Sequence, residues 1–402
     1  MTATGISHDA RSYRLTSIDM LRGLVIVIMA IDHSRDLFLF NMVQDPMAQP
    51  DVPASLYLTR WVTHFCAPVF VFLAGTSAGL MAGRKSRNEL AAFLVKRGLW
   101  LVFVEVAIIS TAWTLSPVDG VPELGGQILL VLQVIWAIGA SMIVLAVAQY
   151  LGVKACVAIG LIILLGHNAL DSVWPVGSLL AGNDPLWYGL ETQSSTNVGP
   201  FLLAFGYPLI PWVGVMLLGY GTAGIFKREP QQRDALLVKA GLAMIIGFFA
   251  LRAIGLYGEP NPWQVQEAGL LATIFDFMNV TKYPPSLLFL LITLGPMALL
   301  CASADRMHGW LKDTLVMFGR VPFAFYIAHW YLLRLGSLVL AHFQGFEPQQ
   351  MMTFFFFFPG DYGVSLFWVY VVWLLVLAIL YPFCKWFAGV KARRKDWWLS
   401  YL

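Results

Sequence analysis

Ten apolar stretches divide the chain, with limits near 20–40, 57–82, 96–115, 127–149, 153–170, 200–225, 236–257, 284–303, 315–341 and 364–389. Each has 18 residues or more, and a helix rising 1.5 Å per residue then crosses about 30 Å of hydrocarbon. The pattern predicts an all-α fold: a polytopic membrane helix bundle of about ten transmembrane helices. It reads as one transmembrane domain over 1–402, with short tails at 1–18 and 390–402. No cleavable signal precedes the first stretch, which is expected to act as its own insertion signal.

The polar segments between these stretches alternate in charge. Arg11 and Arg14 precede the first, and loop 41–56 has no basic residue. Arg84, Lys85, Arg87, Lys96 and Arg97 follow, then a loop 116–126 without bases. Lys154 leads to loop 171–199, whose only charges are Asp171, Asp184 and Glu191. Lys227, Arg228 and Arg233 face a largely acidic loop 258–283, in which Lys282 is the exception. Arg306 and Lys312 precede loop 342–363, which has no base, and the chain closes on 391-KARRK-395. Every basic segment falls on one side, so the positive-inside rule predicts both termini in the cytoplasm.

Composition agrees. Of 402 residues 58% are hydrophobic and only 12% charged, against about a quarter in soluble domains. The net charge of +3 gives no reason to expect a nucleic-acid partner; the lipid bilayer is the expected one. Cys66, Cys156, Cys301 and Cys384 lie in apolar stretches at no metal-ligand spacing and read as small buried hydrophobes. Gly75, Gly79 and Gly83, four apart, suit close helix packing. The run Phe354–Phe358 reads as an aromatic patch lying at the outer membrane interface.

Against this background the ionisable residues inside the spans stand out. Arg22 and His33 are eleven residues apart in the first stretch, almost three helical turns, so they share a face about 16 Å apart. His33 lies between Asp32 and Arg35 with Asp36 one turn on, a concentration of charge that packing does not require. A neutral imidazole offers the lone pair that a base or nucleophile needs, and Asp36 at i+3 is placed to hold its tautomer. His33, Asp36 and Asp32 are therefore the catalytic candidates. His64, His329, Arg60, Gln133, Lys282 and Tyr283 are candidates for the outward-facing side. Arg60 with His64, and His167 with Asp171, read as supporting i, i+4 pairs. Glu105 needs a partner, for which Arg97 or Arg22 is expected. Asp19 is expected to orient Arg22.

The stretch 14-RLTSIDMLRGLVIVIMAIDH-33 resembles the opening of the transmembrane acyltransferase superfamily. In its acyltransferase-three branch an arginine or lysine, ten residues and a histidine begin the first span. Further stretches resemble bacterial membrane proteins grouped with the catalytic domain of heparan-alpha-glucosaminide N-acetyltransferase. They are 61-WVTHFCAPVFVFLAGTSAG-79, 205-FGYPLIPWVGVMLLGYGTAG-224, 279-NVTKYPPSLLFLLITLGP-296 and 319-GRVPFAFYIAHWYLL-333. The lysosomal enzymes carry asparagine where His33 aligns, and their implicated histidine lies in the following loop, where 41–56 has none. The acyltransferase-three pattern also has an arginine pair three apart near the third span; here Lys96 and Arg97 are followed by Trp100.

The resemblance implies transfer of an acetyl (acyl) group from cytoplasmic acyl-CoA to an outward-facing sugar or glycolipid acceptor, with His33 as base or acyl carrier. It implies acetyl-CoA as a co-substrate, no permanently bound cofactor or metal, and a bacterial inner membrane. Arg22, Lys96 and Arg97 are then the acyl-CoA-binding candidates, through charge-assisted bonds to phosphate. The alternative from the residues themselves is a proton-coupled transporter or flippase of a small polar or lipid-linked molecule, with the histidines as proton sites. A histidine-ligated metal or haem ranks last.

Overall fold

The computed structural model describes residues 16–43, 45–49, 52–394 and 396–400. Arg11, Arg14, His8 and Lys395 lie outside the described residues. In chain order the helices begin with α1 (Thr16–Phe38), α2 (Ala54–Thr63), α3 (Cys66–Met81), α4 (Arg87–Phe103) and α5 (Ser110–Thr114). Strand β1 (Ile128–Leu132) leads into α6 (Val134–Ala148), and α7 (Val153–Gly166) follows. Then come β2 (Ser194–Val198), β3 (Phe201–Phe205), α8 (Leu209–Thr222) and α9 (Pro230–Ile254). The chain ends with α10 (Leu270–Met278), α11 (Leu287–Ser303), α12 (Trp310–Arg320), α13 (Pro322–Phe343) and α14 (Leu366–Arg393).

Eight helical segments among the described residues are long and apolar enough to cross a membrane; the chain is an integral membrane helix bundle. They coincide with eight of the ten predicted stretches. The other two, 20–40 and 96–115, fall on α1 and on the α4–α5 segment. The second escapes a reading by length and hydropathy because the π-helical turn Val104–Ile109 divides it into helices of 17 and 5 residues. α1 escapes it because it carries Asp19, Arg22, Asp32, Arg35 and Asp36. A helix so charged is stable in the bundle because protein surrounds it. It packs against α3, α12, α13 and α14, and Asp19 and Arg35 are buried.

Two of the predicted spans do not begin as helices. Residues 128–132 and 201–205 form β1 and β3, which pair in parallel from Ile128 opposite Phe201 to Leu132 opposite Phe205; β2 pairs antiparallel on the other side of β3. Hydropathy cannot separate a run such as Ile-Leu-Leu-Val-Leu from the first turns of a helix. The expectation of an uninterrupted helix fails at Gln133 and at Gly206–Pro208, where the chain turns into α6 and α8.

Glu105, in the π-helical turn Val104–Ile109 between α4 and α5, is fully buried and does not pair with Arg97 or Arg22 in the described contacts. Its carboxylate accepts the Trp136 backbone N–H at 2.9 Å, with the amides of Ile135 and Gln133 also directed at it. The first turn of α6 leaves amides unpaired, and a carboxylate there satisfies them. Glu105 is thus the cap of a helix that starts inside the bundle.

The glycine expectation holds for packing. A β-carbon on Gly75 would collide with the Met216 carbonyl oxygen, and one on Gly79 with that of Tyr220, so α3 and α8 touch backbone to backbone. All four cysteines are free and buried. The phenylalanine run departs from expectation: Phe354 and Phe355 are buried inside the protein instead of lying along the interface. Arg334, itself fully buried, holds this segment by donating to the carbonyls of Met351 and Thr353 and to that of Thr114, with its guanidinium 4.9 Å from the Phe358 ring.

Candidate active site

The C-terminal end of α1 delivers four ionisable residues within five positions to one place. Asp32, His33, Arg35 and Asp36 line a cavity of about 190 Å³. Arg60 and Thr63 of α2 and Phe70 of α3 form one side; Trp113 of α5 and Phe354–Phe356 form an aromatic wall. Gln133, Lys282 and Tyr283 also line it, so of the twelve site candidates seven meet here.

The charges neutralise each other. Arg60 Nη1 donates to Asp32 Oδ2 at 2.6 Å, Arg35 Nη2 to Asp36 Oδ1 at 2.6 Å, and Arg35 lies 3.2 Å from the other Asp32 oxygen. Buried charges persist only when so matched. Both acids are thereby committed to arginines. No described hydrogen bond joins either acid to His33, which departs from the expected role for Asp36.

The imidazole is held from another direction. His33 Nδ1 lies 2.7 Å from His329 Nε2, and the Trp330 ring packs 4.2 Å from it, centroid to centroid. His329 is fully buried on α13, and its Nδ1 is 3.2 Å from the Phe325 carbonyl oxygen one turn earlier. A carbonyl only accepts, so His329 carries its proton on Nδ1 and presents a lone pair at Nε2. That lone pair in turn accepts the His33 Nδ1–H. His33 is left with the lone pair on Nε2, and His33, unlike His329, lines the cavity. The chain carbonyl–imidazole–imidazole fixes the tautomer as a carboxylate does in an acid-oriented histidine base.

His64 is elsewhere. It is buried with its ring 5.3 Å from Phe289 and does not line the cavity, and Arg60 bonds Asp32 instead of supporting it. His167 likewise pairs with Glu191, at 2.8 Å, and Asp171 with Asn168.

At the other end of α1, Arg22 donates to Ser77 Oγ, to the Leu73 carbonyl at 3.3 Å and to Asp19 at 3.4 Å, the last as expected. It borders two cavities. One, of about 1010 Å³, is lined also by Arg84, Lys227 and Arg228. The other, of about 360 Å³, is lined by Arg97, Arg320 and Lys391, with Arg97 5.2 Å over the Phe323 ring. Lys96 is exposed on α4 and lines neither, which separates it from Arg97 despite their adjacency. Successive helix residues point about 100° apart, so only one of the two can face the groove.

From the sequence His329 is only an acceptor-side candidate and the phenylalanine run an interfacial patch; Trp113 and Tyr207, which also line the cavity, and Trp330 against His33 carry no mark of their own there. The available signal was the pairing of His329 with Trp330 and the odd aromatic run; only folding joins these to residue 33.

The membrane bundle thus holds a histidine-lined cavity near one end of α1 and arginine-lined cavities near the other. Residues 14–254 match the family described as "Heparan-alpha-glucosaminide N-acetyltransferase, catalytic", more than half of the chain, and the protein belongs to this family. No curated protein matches the sequence. The family assigns it to the transmembrane acetyltransferases. Arg22 and His33 fall within the matched region; Lys282 and His329 lie beyond it.

Proposed function

We propose that the protein transfers an acetyl group from acetyl-CoA (an acyl-CoA) on the cytoplasmic side to a hydroxyl or amine of an outward-facing sugar or glycolipid, with His33 as its base or acyl carrier. The observation that carries this reading is the His33–His329 pair: an imidazole whose tautomer is fixed and which borders a cavity between acid–arginine pairs and an aromatic wall.

The coenzyme phosphates sit among Arg22, Arg97, Arg320 and Lys391, and the extended arm runs along α1 toward His33 over about 16 Å. His33 Nε2 removes the acceptor's proton as its oxygen or nitrogen attacks the thioester carbonyl, then returns a proton to the departing thiolate. In the covalent variant Nε2 attacks first, and the acetyl-imidazole passes the group on. His329 holds the Nδ1–H in either case. Gln133, Lys282 and Tyr283 contact the acceptor, while Asp32 and Asp36 hold Arg60 and Arg35 in place. A cavity of about 190 Å³ takes one sugar ring at a time. The whole chain acts as one domain in a bacterial inner membrane with both termini in the cytoplasm; reporter fusions then place loop 41–56 outside and loop 83–95 inside.

Calorimetry with acetyl-CoA on detergent-purified protein is the test. Saturable binding, weakened about tenfold in Arg22→Ala and kept in His33→Ala, supports the transferase. A second reading, a transporter, is favoured by cavities that follow one another along α3; a well-folded protein that does not bind the coenzyme would decide for it.

A further inference from the structure

The histidine cavity and the Arg97 cavity are arranged in series. Helix α3 lines the first with Ala67 and Phe70 and the second with Phe70, Ala74, Ser77 and Met81. These positions are three or four apart and make one continuous face. Helix α6 runs opposite: Gln133 and Val134 border the first cavity, and Ile135, Ile138 and Met142 the second. Phe70 is the residue common to both, so one aromatic ring stands where two cavities meet along a shared seam.

We propose that Phe70 is the partition of this seam: its ring closes the histidine cavity to water from the side of Arg22 and swings aside only for an entering thioester arm. The proposal rests on the transferase reading for what enters, and on geometry alone for the barrier. A transferase must keep water away from a thioester held beside a base. Otherwise His33 takes a proton from water, the hydroxide oxygen bonds the carbonyl carbon, the carbon–sulfur bond breaks and the thiolate takes the proton. Acetate and free coenzyme are then lost to hydrolysis. The cavity's basic groups are Arg22, Arg97, Arg320 and Lys391, while Ala74, Leu101, Ile135 and Ile138 give its lining an apolar part, and a phenyl ring presents no polar group to hold water.

Cys66 supplies a test that needs no acceptor. It lines the histidine cavity, is buried and free, and its thiol points to the Val25 carbonyl at 3.2 Å. With Cys156, Cys301 and Cys384 changed to alanine, proteoliposomes are exposed on the Arg22 side to a membrane-impermeant cationic methanethiosulfonate. Phe70→Ala is expected to raise Cys66 labelling from that side about tenfold, and acceptor-free acetyl-CoA hydrolysis by a similar factor. Phe70→Leu, which keeps apolar bulk, is expected to stay near the parent and controls for folding. Equal labelling in parent and Phe70→Ala overturns the partition. Faster labelling without any hydrolysis upholds the partition and counts against the transferase reading.

Discussion

Two histidine hydrogen bonds, one to a glutamate and one to a second histidine, differ in what surrounds them. His167 bonds Glu191 at 2.8 Å with both side chains almost wholly buried, between the end of α7 and the loop that carries β2. His33 bonds another imidazole at a similar distance, and one of the two reaches a cavity. The first pair uses its polarity to hold the loop that carries Glu191 against a helix end. In the second, the neutral partner is anchored to a carbonyl, and the lone pair that remains has open space beside it. The hydrogen-bond distances are similar, but His167 and Glu191 are both buried whereas His33 is only half-buried; access to a cavity is what distinguishes the second pair.

The comparison is sharpest if the two pairs are broken separately. His33→Ala is expected to reduce acetyl transfer by about a thousandfold or more while leaving coenzyme affinity and the melting temperature near the parent. A radiolabelled acetyl-transfer assay beside calorimetry checks this, and surviving transfer removes His33 from the chemistry. His329→Ala should cost less, about a hundredfold, by freeing the imidazole to turn. His329→Gln, whose amide oxygen can still accept the Nδ1–H, should recover part of the loss and change the pH–rate profile. A structural role for His329 predicts no difference between the two variants.

Arg22→Ala is expected to weaken acetyl-CoA binding about tenfold, the loss of one charge-assisted contact, with little effect on the turnover of saturated enzyme. Breaking the other pair with Glu191→Ala strands a buried histidine and should destabilise the protein by about 3 kcal/mol, yet leave transfer per folded molecule unchanged. Thermal unfolding in detergent and active-site-normalised rates separate those outcomes. A parallel loss of activity would make the His167 pair part of the site.

The smallest effect concerns Glu259, in the loop after α9. Its carboxylate accepts from the Thr281 N–H at 3.0 Å and from Ser286 Oγ at 2.7 Å, but burial outweighs these bonds and raises its pKa above the ordinary glutamate value. A group raised in the native state contributes most below its unfolded pKa, and that contribution fades as pH rises through the native value. Melting temperatures should therefore fall with rising pH more steeply in the parent than in Glu259→Gln. Identical slopes would show that Glu259 is not responsible.

What the sequence by itself determined is the membrane class, most of the helices, the glycine seam of α3 and the concentration of charge on the helix that carries Arg22 and His33. All of these follow from local periodicity and from the cost of charge in hydrocarbon, which neighbouring residues suffice to express. Partnership was decided only by the tertiary structure. Asp36 sits one turn from His33 yet serves Arg35; His329, 296 residues away, takes the role expected of it. Glu105 caps α6 where an arginine was expected, Lys96 faces outward while Arg97 faces in, and an apparent interfacial run of phenylalanines closes the cavity. β1 and β3 read as helix because hydropathy carries no record of which backbone will pair with which. A hydrogen-bond partner is chosen by what the packed bundle brings within 3 Å, and separation along the chain does not encode that distance.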